Sequence, residues 1–165
     1  MRPVLNVKAR LIRAGKCIRE VRFSNAVVLE GQNLLLDTMF NDSVQNFWYV
    51  GLIDEDGYTL ISVDDTMAIH AGWTEWTDYD ETDRPEWITD PASGGAIRTS
   101  PASPVSFTMS AAGTLKGVFL SSDDGKGGTT GFLWATALFV DGSLGEDWEV
   151  EIDDEIQIAY GVILA

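Results

Sequence analysis

The chain has 165 residues, 45% of them apolar, with 11 basic and 26 acidic side chains and a net charge of −15. That length and apolar share suit one domain with a real core and exclude a disordered chain. No run of about 18 uncharged apolar residues occurs, so a transmembrane helix is not expected, and MRPVLNVKARLIR is too interrupted by charge for a signal peptide, so a soluble protein made in a cytoplasm is expected. The charge is bipolar. Residues 1–25 carry 7 basic and 1 acidic side chain, +6, and the remaining 140 residues carry −21. A body this acidic repels nucleic acid and anionic membranes, and neither is expected as a partner.

In chain order, VLNVKARLI and CIREVRF alternate wet and dry positions on either side of RAGK, which predicts a β-hairpin over 4–23. We expect residues 1–24 to form a basic hairpin or arm and 25–165 the body. The basic side chains of the hairpin are expected to lie on an acidic surface, of its own body or of a neighbouring copy. Cys17, the single cysteine, rules out an internal disulfide and is expected to be a buried or half-buried thiol. Leu34, Leu35, Thr38 and Met39 form a helical stripe that predicts one main helix over about 30–41, punctuated by Asn25 and Asn33.

Beyond the helix, strands and turns dominate. NFWYVGLID predicts a strand closed by DEDG, and YTLISV its return or an extended loop. DDTMAIHAG has the look of a capped helical turn ended by Gly72. PVSFTMS, TLKGVFLSS, GFLWATALFV and EIQIAYGVILA predict further strands, and in EDWEVEIDDE the residues Trp148, Val150 and Ile152 are expected on a dry face. With no strand–helix–strand repeat, the expected class is mainly β, an antiparallel β-sandwich of jelly-roll type with one helix.

The motifs with chemical content read weakly. DDGKGGTTG lacks the spacing of a phosphate loop and is expected to be a mobile hairpin tip. Asp54 and Asp56 lack the further ligands of a helix–loop–helix calcium site. His70 is the only histidine, no Gly-x-Ser-x-Gly elbow is present, and no second metal ligand stands near HAGW. We therefore expect no enzyme, no cofactor and no metal. The segment HAGWTEWTDYDETDRPEW holds three of the six tryptophans. As a glycan platform, Trp73, Trp76, Tyr79 and Trp87 would stack on sugars while Asp78, Asp80 and Asp83 bond hydroxyls. As structure, the same rings anchor a long connection, with Arg84 paired to an acid and Pro85 fixing chain direction. The structural use is the one expected, with His70, Trp73, Arg84 and Trp87 as a clasp, at a subunit contact or within the body.

The order NLLLDTMF, FWYVGLID, DDTMAIHAGWTEWTDYDETDRPEW, GGAIRTSPASPVSFTMSAAGTLKGVFLSS and KGGTTGFLWATALF resembles a family of small virion proteins of tailed bacteriophages over about residues 33–140. The resemblance implies a non-enzymatic structural protein on the outer surface of a virion. Its leading form is a capsid decoration or cement protein that binds the major capsid protein and itself, as a dimer or trimer. Arg10, Arg13, Lys16 and Arg19 are then the expected charged contacts of the arm, with Leu5, Val7 and Leu11 burying apolar area against a partner. The rival form is a tail-tip or fibre-associated domain that binds a host-surface glycan through residues 73–87.

Overall fold

A computed structural model describes residues 3–40, 47–141, 144–145 and 147–164. Among these residues the fold is mainly β, antiparallel throughout its strand pairs, with one helix. Strands β1 (Pro3–Arg13) and β2 (Lys16–Val27) make the predicted hairpin. Its turn is Ala14 and Gly15, both at positive φ (49° and 73°), the two-residue geometry that matches the twist of antiparallel strands. Helix α1 (Leu29–Phe40) follows directly. Then come β3 (Tyr49–Asp54), β4 (Glu75–Trp76), β5 (Ala96–Arg98), β6 (Val105–Thr108), β7 (Gly113–Ser121) and β8 (Leu133–Leu138). The short pair β9 (Val140–Asp141) and β10 (Leu144–Gly145), then β11 (Trp148–Val150) and β12 (Glu155–Leu164), close the chain.

One hydrogen-bonded path runs β4-β3-β7-β8-β2-β1-β12-β5. Strand β7 offers one edge to β3 and divides the other between β8 and β11, while β12 offers one edge to β1 and divides the other between β5 and β6. Among the described residues the two halves pair at Ala26–Thr136 and Val27–Ala135, with the Val28 N–H bonded to the Trp134 carbonyl beside them, and at this narrow joint the path passes from one layer of a β-sandwich to the other. Between the layers, Val7, Ala9, Leu11, Val21, Phe23, Ile156, Ile158 and Tyr160 pack with Leu115, Val118, Leu120, Ala135 and Ala137 in one core. The alternation of the hairpin and of β12 predicted this inward set.

The β3-β7-β8 layer is covered on its other face as well. There Ile53, Phe119 and Leu133 join Val28, Met67 and Trp73 in a second cluster. Burial on both faces is why GVFL and FLWATAL read as continuous apolar runs and not as alternation. Helix α1 sits on β8 because Gly31 lets it: a Cβ there would stand 2.5 Å from the Trp134 carbonyl oxygen. Glu30, in the first turn, accepts the Leu133 backbone N–H at 2.7 Å and ties helix to strand.

Several expectations are corrected. Of the two forms expected at the N-terminus, hairpin or arm, the described residues have the hairpin, built into the sheet, since β1 lies between β2 and β12 with ten residue pairs to β12. Asn25 lies inside β2 and Asn33 inside α1, so neither interrupts the chain. Residues 66–72 form turns and bends and no helical turn, because the Asp65 carboxylate accepts the Ser62 N–H and the Trp73 indole N–H and folds the segment on itself. Cys17 is exposed, because the β-bulge between Leu11 and Ile12 shifts its register near the hairpin tip. Ile152 is 61% exposed: β11 ends at Val150, and a turn with Asp153 at φ 67° turns the chain into β12.

Candidate functional site: the aromatic clasp and the basic face

The segment 70–87 folds inward. Trp73, Trp76, Tyr79, Arg84 and Trp87 are all buried. His70 stacks on Trp73 with ring centroids 4.1 Å apart, and Trp73 packs on Phe119 at 5.1 Å. The His70 Nδ1 lies 3.1 Å from the Thr66 carbonyl oxygen. The Arg84 guanidinium also lies 5.1 Å from the Phe119 ring centroid, so two of the four expected clasp residues meet at one phenylalanine, with His70 joined to them through Trp73. Trp87 stands apart, donating its indole N–H to Thr99 Oγ1 at 2.8 Å and packing edge-on against Tyr160.

Arg84 is the centre of this assembly. Its Nε and Nη2 donate to the two oxygens of Glu75 at 2.9 and 2.7 Å, a bidentate pair. Nη1 donates to the Asp123 carbonyl at 2.8 Å and Nη2 to the Gly128 carbonyl at 2.7 Å. Glu75 Oε2 also accepts the Gly127 N–H at 2.8 Å, and the Lys126 ammonium donates to the carbonyls of Tyr79 and Glu81. The glycine-rich loop is therefore pinned to the clasp, against the expectation of a mobile tip. The Gly127 N–H and the Lys126 ammonium, two donors a phosphate would need, are already engaged. Sequence reading found Arg84 but not Glu75, one acid among many whose role depends on the antiparallel pairing of β4 with β3.

Chemistry that needs an exposed ring or a free base finds little here. Sugar stacking requires open aromatic faces, and those of Trp73, Trp76, Tyr79 and Trp87 are covered by the protein itself. Among the described residues no group of three or more His, Cys, Asp or Glu stands where it could hold a metal ion. Asp54 Oδ1 accepts the Asp56 N–H within the DEDG turn, and desolvation by burial raises the Asp54 pKa.

The hairpin residues expected to meet a partner separate into three groups. Val7 and Leu11 are 2% and 3% exposed and belong to the protein's own core, so they are unable to bury area against another chain; the Leu5 side chain lies outside the described residues. Arg13 and Arg19 turn to their own body. Arg13 makes ion pairs with Asp154 at 2.9 Å and Glu151 at 2.8 Å, and Arg19 lies 5.4 Å from the Trp148 ring centroid. Arg10 and Lys16 remain exposed, Lys16 at the hairpin turn and Arg10 bound to Glu20 at 2.7 Å. With Lys8 and Arg22 also near Glu20, the outward row of the hairpin is a basic face.

The Asp154 carboxylate, buried under Arg13, has its pKa held below the usual value by that hydrogen bond, with the Glu151 N–H adding to the effect. A folded-state pKa below the unfolded 3.8 gives stability that is complete above that value and is lost as pH falls through the folded pKa. Asp154→Asn should therefore lower the urea midpoint at neutral pH, and the gap to the parent should close as the pH falls below about 4. A gap that is constant across pH would disprove the linkage.

No family model matches the chain, and neither does any curated protein or solved structure.

Proposed function

We propose that this chain is a non-enzymatic structural protein of a bacteriophage virion, a capsid decoration protein that binds the assembled shell of major capsid protein from outside. The reading starts from the likeness of residues 33–140 to small virion proteins. One structural observation carries it further: the glycines, tryptophans and arginine of those shared motifs are packing positions. A Cβ on Gly51 would stand 2.1 Å from the Phe119 ring, and one on Gly72 would stand 2.3 Å from the Leu60 carbonyl oxygen. Trp73 and Arg84 meet at Phe119, and Trp87 is buried separately against Tyr160. A motif built from close approaches and buried ion pairs preserves a rigid shape, and a rigid shape is what a cement protein contributes to a shell.

The covered rings of the clasp remove the support that the tryptophan-rich segment lent to glycan binding. The test is to image virions assembled with and without the chain and to measure their survival on heating. The expected result is extra density on the outside of the shell and faster loss of infectivity without it. Equal shell density and equal heat resistance would overturn the reading.

A further inference from the structure

The outward face of β1, β2, β12 and β5 holds a shallow groove of about 680 Å³ lined by Asn6, Lys8, Arg22, Arg98, Ala159 and Gly161, among others. Cross-strand pairing sets Lys8 opposite both Arg22 and Ala159, and Gly161 opposite Arg98. Small residues make the floor and long cations the walls: a Cβ on Gly161 would stand 3.4 Å from Arg98 Cγ. The lining has three cations and no carboxylate, on a chain of net charge −15. Glu20 is a carboxylate next to it, and it is shared among Lys8, Arg10 and Arg22, with Arg22 75% exposed and 4.0 Å away. Arg98 has no ion pair among the described residues, and Glu155, further along β12, is bonded to Ser106 and Gln157. Like charges directly opposite across strands are destabilising, as Lys8 and Arg22 are here, so an anion in the groove relieves a cost already present.

The same chain carries a matching surface. Asp78, Asp80 and Asp83 are exposed and none has an ion pair among the described residues. Their backbone is held firmly: Tyr79 is buried, the Asp80 N–H bonds the Thr108 carbonyl, and Glu81 accepts the Thr108 N–H. Three carboxylates on a braced segment lose little freedom on binding.

We infer that the basic groove of one copy receives the acidic segment 78–83 of a second copy. The two surfaces differ, so the contact is heterologous and generates a closed ring or an open chain of copies. The inference deepens the reading of the chain as an assembly component, and it is tested apart from shell binding.

Sedimentation of the full chain at about 0.02 M and 0.5 M salt, where screening lengths differ several-fold, should show association at the lower value and dissociation at the higher. The pairs Arg22→Glu with Arg98→Glu, and Asp80→Lys with Asp83→Lys, should each weaken association at least about tenfold, since each reverses two contacts worth near 1 kcal/mol or more. All four side chains are exposed, and circular dichroism should report an unchanged fold. Mixing the two reversed variants should restore association, a rescue that general charge effects would not produce. A monomer at both salt values would overturn the inference, as would reversed variants that associate like the parent. If the parent is monomeric and the Arg22→Glu, Arg98→Glu variant no longer binds shells, the groove serves the capsid protein instead; this too overturns the second-copy assignment while leaving the decoration reading intact.

Discussion

Replacing Arg84 by methionine is expected to destabilise the protein by about 3–5 kcal/mol, the range for removing one partner of a buried ion pair. The side chains of Arg84 and Glu75 are 0% and 6% exposed, so water is unable to replace what the guanidinium supplies. Without it, Glu75 is a buried carboxylate left with the Gly127 N–H and a long contact from the Tyr79 hydroxyl at 3.5 Å. The carbonyls of Asp123 and Gly128 also lose their donor. Arg84→Lys should be only partly restorative, because an ammonium lacks the planar fork that reaches a carboxylate and two carbonyls together. Arg84→Met combined with Glu75→Leu should recover much of the loss, since the uncompensated charge is then gone. Urea denaturation measures the first effect, and hydrogen exchange should show residues 122–132 opening before the rest of the sheet. A loss below about 1 kcal/mol would mean the pair is solvated and the clasp account is wrong.

Deleting residues 1–24 is expected to abolish folding. Val7, Leu11, Val21 and Phe23 are buried in the central core, and each contributes about 1.5–3 kcal/mol by burial. Together they match the whole stability of an ordinary domain, about 5–15 kcal/mol. The deletion also strips β12 of its partner along ten residue pairs, leaving an apolar edge of Ile156, Ile158 and Tyr160 open to aggregation. The expected product is insoluble or lacks a cooperative melting transition. A soluble, folded body of residues 25–165 would show that the hairpin is dispensable.

Both effects trace to the same division between local pattern and long-range contact. The hairpin of β1 and β2, the helix at 29–40 and the strand at the C-terminus were legible because period-two and helical patterns, with Ala14 and Gly15 between the strands, act over a few residues. The basic row of the hairpin was legible for the same reason: Lys8 and Arg10 alternate with Val7, Ala9 and Leu11. Where that hairpin sits was not. An amphipathic pair of strands looks the same as a projecting arm or as the middle of a sheet, and only pairing with β12, from Pro3 beside Leu164 to Ile12 beside Glu155, decides it.

The aromatic segment divides in the same way. Its sequence already determined that the rings, Arg84 and the acids would act together, since one acid must answer a buried arginine and large rings must be covered. That Glu75 is this acid, that Phe119 receives both Trp73 and Arg84, and that the Gly127 N–H completes the site were decided by tertiary structure. Arg98 joins Lys8 and Arg22 only because β5 pairs with β12. Composition and periodicity determine which residues must be inside and which carry charge. Which buried charge meets which, and which cations share a face, depends on strand order, because antiparallel pairing brings together residues whose separation along the chain carries no local signal.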